Sequence, residues 1–210
     1  MTMANNIIIN IGRQLGSGGR EIGRMLAADF DLKFMDKELV ALAAEKSGLC
    51  SEFFEKADEK ASQAFGGLFS MRFPFISDGC LPTNNCLSND SLFKVQSDVI
   101  RDLASNESCV FIGRCADYVL RDFPQCVNVF ISAPLALRAS RIAKQLEINE
   151  QKAKELIHKT DKKRAEYYNY YSSKTWGAAA TYHLCIDSSV LGMAGTEQFI
   201  KDFVKKKLGL

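Results

Sequence analysis

An α/β fold on a parallel sheet is what this sequence predicts, and three observations predict it. Short apolar runs at 7–11, 33–35, 109–112, 127–132 and 183–186 read as strands. Segments with helical periodicity lie between them. Strands joined through helices return to the same edge, so the sheet is parallel and covered on both faces. The third observation is the turn after the first run, where Gly12 and Gly16-Ser17-Gly18-Gly19 crowd glycines between a strand and a helix.

The first run, Ile7-Ile8-Ile9-Asn10-Ile11, reads as a buried strand. Residues 19–30 carry Ile22, Leu26 and Phe30 at four-residue spacing, one apolar face of a helix. Segment 36–46 opens on Asp36, a good N-cap residue, and is rich in alanine and leucine. Further helices are predicted over 92–105, 116–121, 134–145, 149–171 and 196–208, with Pro134 where proline starts a helix comfortably. Residues 62–91 break the pattern, with Phe65, Phe69, Phe73, Phe75, Pro74, Pro82 and little periodicity. A stretch of that length in a compact domain is expected to be functional or mobile, as part of an inserted lobe or lid. Its aromatics pack on a base or on one another.

The 210 residues suffice for one substantial core with a small insertion, and a 47% apolar, 25% charged composition is that of a globular protein. A net charge of +2 gives no global argument for binding nucleic acid or a membrane surface. The charge is uneven, however: residues 138–174 hold ten Lys/Arg against five Asp/Glu, a bias that suits an anionic substrate. Seven cysteines form no C-x-x-C pair and no zinc spacing with His158 or His183. Cys109, Cys126 and Cys185 fall in or beside strand-like runs, where cysteine acts as a small buried hydrophobe. The odd count points to a reducing compartment. No secretory signal and no membrane-length apolar run is visible, so a cytoplasmic location is expected, with neither nucleic acid nor membrane as partner. A homo-oligomer is compatible with all of this.

A strand, glycine turn and helix place backbone N–H groups at the positive end of a helix, a ready phosphate site. Against a standard phosphate loop, Arg13 stands at the first glycine, Gly19 at the lysine, and Arg20-Glu21 near the metal-binding hydroxyl. Arg13, Gly16, Ser17, Gly18, Gly19, Arg20 and Glu21 are the candidate nucleotide-binding residues, with Arg20 offering a bidentate guanidinium to the β- and γ-phosphates. Glu21 contacts magnesium, caps the helix or pairs with a basic side chain. A second reading takes Gly16-Ser17-Gly18 as a dinucleotide fingerprint with Asp36 as its ribose acid, but Glu21 stands where the third glycine belongs. Asp36 itself is an N-cap, a contact to a nucleotide sugar, or a magnesium ligand. Arg114 ends a buried strand after Gly113, which favours an anion ligand over a surface charge, and Asp117 lies one turn on to orient it or bind substrate.

Arg138 and Arg141 share one helix face, and Asp161 and Arg164 repeat that spacing on the next long helix. Two helices presenting arginines suit a lid that closes on transferring phosphate. Lys144, Lys152, Lys154 and Lys159 read as a solvated face, the Tyr167–Tyr171 and Trp176 aromatics as packing, and no chemistry is assigned to His158 or His183.

These residues together resemble the cytidylate kinase-like family of P-loop nucleoside monophosphate kinases. The resemblance rests on Gly16-Ser17-Gly18-Gly19-Arg20-Glu21, Phe34-Met35-Asp36, Gly113-Arg114, and Arg138-Ala139-x-Arg141 with Asp161-x-x-Arg164, and the run His183–Ser188 resembles the family's last strand. It implies a P-loop NTPase three-layer sandwich: a five-stranded parallel sheet in one domain, residues 1–210, with an acceptor-binding lobe near 50–91 and a helical lid near 138–175. It implies ATP and Mg²⁺ as cofactors and a small nucleotide acceptor such as CMP. Asp36, Arg114, Asp117 and Asp161 then form the acceptor side, and Arg20, Arg138, Arg141 and Arg164 the catalytic set. The departures are the missing loop lysine and the missing loop hydroxyl, with Glu21 or Asp36 left as candidate metal ligands. Three functions are therefore in play: a kinase, a nucleotide-binding module without turnover, and a dinucleotide-dependent oxidoreductase.

Overall fold

The computed structural model describes residues 6–36 and 89–210. The chain divides into one unit of Met1–Asp36 with Ile100–Leu210 and a second of Lys37–Val99. The helix expected over 36–46 and the Phe-rich stretch up to residue 88 lie outside the described residues.

In the first unit β1 (Ile8–Arg13), α1 (Gly19–Asp29) and β2 (Lys33–Met35) are followed, past α2 (Asn89–Asn106), by β3 (Cys109–Ile112) and α3 (Ala116–Val119). Then come β4 (Cys126–Ser132), α4 (Leu135–Leu146), α5 (Glu150–Ser172), β5 (Leu184–Asp187) and α6 (Ser188–Leu208). All pairings are parallel, in the order β2-β3-β1-β4-β5. A dinucleotide fold sets its first strand beside its second, whereas here β1 lies between β3 and β4. The oxidoreductase reading loses its structural basis at this point.

Strand alternation explains the core. Ile9 and Ile11 of β1, Val110 and Ile112 of β3, and Val127, Val129 and Ile131 of β4 share one sheet face. Ile22, Leu26 and Ala27 of α1 and Ile200 and Val204 of α6 cover it. On the opposite face Phe130 packs edge-on against Trp176 and beside Tyr182, with Tyr168 stacked at 6.2 Å from Tyr182. Of the aromatics on α5 only Tyr168 is core, and Tyr170 is exposed.

Two local expectations need correction. Cys185 is exposed rather than buried, because β5 is an edge strand of the sheet among the described residues. The last helix starts at Ser188 and not near Thr196, and it is interrupted at Gly192, whose φ of 68° and ψ of −176° are non-helical. Among the described residues, no helix is long and apolar enough to cross a membrane.

Candidate functional site

The carboxyl ends of parallel strands share one edge, and that edge collects Arg13 from β1, Asp36 after β2 and Gly113-Arg114 after β3. From β1 the chain turns through residues 14–18 into α1. Gly16 adopts φ +79°, and a Cβ there would lie 2.8 Å from the Arg138 carbonyl, so the turn requires glycine on both counts.

The loop is held by its carbonyls. Arg164 Nη1 donates to Arg13 O at 3.1 Å, Ser17 Oγ to Gln14 O at 2.9 Å, and Arg138 Nη1 to Leu15 O at 3.2 Å. Arg141 Nη1 donates to Gly16 O at 3.2 Å, Ser188 Oγ to Ser17 O at 2.6 Å, and Ile22 N to Gly18 O at 3.0 Å. Each carbonyl from Arg13 to Gly18 therefore has a donor of its own. This tethering orients the peptide planes and leaves the N-terminus of α1 as the positive end that meets an anion.

Asp161 completes the tether. Its carboxylate accepts from Leu15 N at 2.8 Å and from Arg138 Nη1 at 2.6 Å, with Arg164 Nη1 3.9 Å away. The side chains of Arg138 and Asp161 are only 9% and 15% exposed, so this is a desolvated pair and not a surface contact. Arg138, Arg141, Asp161 and Arg164 all meet the loop in this structure. Gln14 and Ser188 join them without having stood out in the sequence. Gln14 bridges the loop to β4, accepting from Ala133 N at 3.2 Å, and only its position between Arg13 and Leu15 hints at such a role.

A second cluster forms at the end of β3. Arg13 is 8% exposed and its guanidinium lies against Gly113. Burial above all, then the charges of Arg164, Arg114 and Arg20, hold Arg13 well below its ordinary pKa, while Asp36 acts the other way. Arg164 is lowered too, by burial, against Asp161 and Asp36. Arg20 Nε pairs with Asp36 Oδ2 at 2.5 Å. Arg13, Arg20 and Arg164 thus share the Asp36 carboxylate, with Arg114 adding its charge beside Arg13, and an incoming anion would relieve their mutual repulsion. Glu21 sits apart, exposed on α1 with Arg24 Nη1 3.7 Å away.

The described residues do not assemble a magnesium ligand set. Arg20 and Glu21 stand where a loop hydroxyl would, Asp36 is engaged by Arg20, and the Ser17 hydroxyl is buried and donates to Gln14. No cluster of three or more His, Cys, Asp or Glu suited to a metal occurs among the described residues.

Asp117 lies away from the arginines. It is 7% exposed and accepts from the Tyr168 hydroxyl at 2.5 Å. Burial raises its carboxyl pKa, with the Tyr168 bond and Lys174 acting in the other direction. The nearby Cys115 thiol is pushed up to about 12, first by burial and then by Asp117, which makes it inert as a nucleophile. A raised carboxyl pKa means that folding favours the neutral acid. Its contribution is therefore fully present below the ordinary value and is lost as pH rises through the folded one. Asp117→Asn should melt at or above the wild-type temperature at pH 7, and the difference should shrink toward about pH 4. A lower melting temperature at pH 7 would show that the ionised Asp117–Tyr168 bond outweighs the burial of the charge.

The chain superposes on an uncharacterized protein from Eubacterium ventriosum with a TM-score of 0.70 at 25% identity, over 95% of this chain and 99% of that one. A shikimate kinase from Bacteroides thetaiotaomicron gives 0.52 at 12% identity, over 95% and 98% of the two chains. A gluconokinase from Sinorhizobium meliloti gives 0.50 at 15%, over 98% and 92%. At such identities these kinases share the fold, a P-loop kinase fold. No curated protein matches the sequence. The model of the cytidylate kinase-like family matches residues 8–190, and the chain belongs to that family.

Proposed function

We propose that the protein transfers the γ-phosphoryl group of ATP, presented as its magnesium complex, to a small acceptor, with a nucleoside monophosphate such as CMP as the first choice. The observation that carries this reading is the convergence of Arg13, Arg20, Arg114 and Arg164 beside a tethered glycine loop. An acceptor oxygen attacks the γ-phosphorus, the bond to the β–γ bridging oxygen breaks, and its electron pair leaves with ADP. Loop N–H groups and arginines supply the positive charge that this transfer needs. Magnesium would enter as part of the nucleotide substrate and supply positive charge there, since it commonly keeps water and phosphate as most of its ligands. Asp36 would meet an acceptor hydroxyl, and Arg114 an acceptor phosphate or carboxylate.

A second reading has its own support. Arg138 and Arg20 are already paired with carboxylates, and the loop lysine is absent, as in a nucleotide-binding protein without turnover. The deciding experiment is γ-phosphate transfer from Mg-ATP to CMP, other nucleoside monophosphates, shikimate and gluconate. Turnover above a no-acceptor control on one of them is expected. Folded protein that binds ATP and phosphorylates none of them overturns the kinase reading in favour of the binding module.

A further inference from the structure

Two glycines near the loop mark the path of the Arg13 side chain, although Gly113, at φ +73°, is left-handed in any case. A Cβ on Gly19 would lie 2.6 Å from Arg13 Cβ and 3.2 Å from its Cγ, closer than carbon atoms approach without displacement. The obstacle is the root of the Arg13 side chain, which cannot swing aside. The next neighbour, Ile131 Cβ, stands at 3.5 Å, an ordinary contact. At the other end, a Cβ on Gly113 would run into Arg13 Nη1. The Arg13 side chain therefore passes beneath the position of the usual loop lysine and ends against the turn that carries Arg114. That path runs from the donor-phosphate loop toward the acceptor arginine.

We propose that Arg13 supplies the cation that a loop lysine supplies elsewhere, and that position 19 is glycine because position 13 is arginine. The two departures from the standard loop are one coupled exchange: the first loop glycine became arginine and the lysine became glycine. An arginine rooted on β1 is fixed by the strand and can offer two parallel N–H donors to a phosphate. This assignment rests on the kinase reading and gives Arg13, rather than Arg20, the lysine's part. Arg20 is the poorer candidate, being 45% exposed and committed to Asp36.

The test is a four-variant exchange read by calorimetric titration with ADP, with circular dichroism confirming that each variant is folded. Arg13→Gly and Arg13→Gln should each weaken ADP binding about 10- to 100-fold, the worth of one or two charge-assisted hydrogen bonds. Gly19→Lys alone should weaken it as well, because Arg13 blocks the new side chain. The double variant Arg13→Gly/Gly19→Lys should return to within about threefold of wild type, whereas Arg13→Gln/Gly19→Lys, which keeps the Cβ and Cγ, should not. Wild-type affinity in Arg13→Gln, or a double variant no better than its parents, overturns the exchange while leaving the kinase reading intact. Failure of the wild-type chain to bind ADP overturns both.

Discussion

Replacing Arg114 by glycine is expected to cut phosphoryl transfer by about 10²- to 10³-fold, the usual cost of removing one preorganised charge from such a site. The same change should leave the fold as stable as before to within about 1 kcal/mol. The reason lies in the backbone. Gly113, Arg114 and Cys115 are consecutively left-handed, with φ of 73°, 60° and 54°. Each non-glycine residue in that region costs roughly 1–2 kcal/mol, which glycine would recover at position 114. Glycine also frees the unfolded chain, which takes back about 0.5–1 kcal/mol. Strain of this kind persists where surrounding structure over-determines it, and here it presents a guanidinium at the sheet edge. Arg114→Ala keeps the strained backbone and should lose activity equally while being the less stable of the two. Parallel thermal melts and transfer assays separate these effects. A glycine variant with the wild-type rate would remove Arg114 from the site, and a collapse in stability would make it a structural residue.

Asp161→Ala should destabilise the fold by about 3–5 kcal/mol, more than the loss of Arg114 or Asp117. It strands the Arg138 side chain, 9% exposed, without its carboxylate and takes the acceptor from Leu15 N. For a chain of this size the melting temperature should fall by roughly 6–20 °C. The double variant Arg138→Met/Asp161→Ala should recover part of the loss, because no unpaired charge remains buried. A double-mutant cycle read by denaturant unfolding measures the coupling directly. An Asp161→Ala variant that melts like wild type yet loses transfer would instead place Asp161 among the groups that meet substrate.

Asp161 also marks how far the sequence carries. Its spacing from Arg164 and the matching pair Arg138 and Arg141 were legible, because residues three apart on a helix share a face. That this face meets the carbonyls of Leu15 and Gly16, more than 120 residues earlier, was not. Asp117 follows Arg114 by three residues, yet after the left-handed turn its carboxylate meets Tyr168, not the arginines. Cys185 sits in an apolar run, but exposure depends on β5 having no strand on its outer side among the described residues.

By itself the sequence determined the alternation of strands and helices, the glycine turn before α1 and the supply of arginines after the strands. Each is a matter of period, propensity or turn chemistry within a dozen residues. Tertiary structure alone decided the partners: Arg138, Arg141 and Arg164 on loop carbonyls, Arg20 on Asp36, and Arg13 threaded between Gly19 and Gly113. The physical reason is that strand order, β2-β3-β1-β4-β5, is set by packing a shared core. Pairing β1 directly with β3 brings their ends close enough for one arginine side chain to span them.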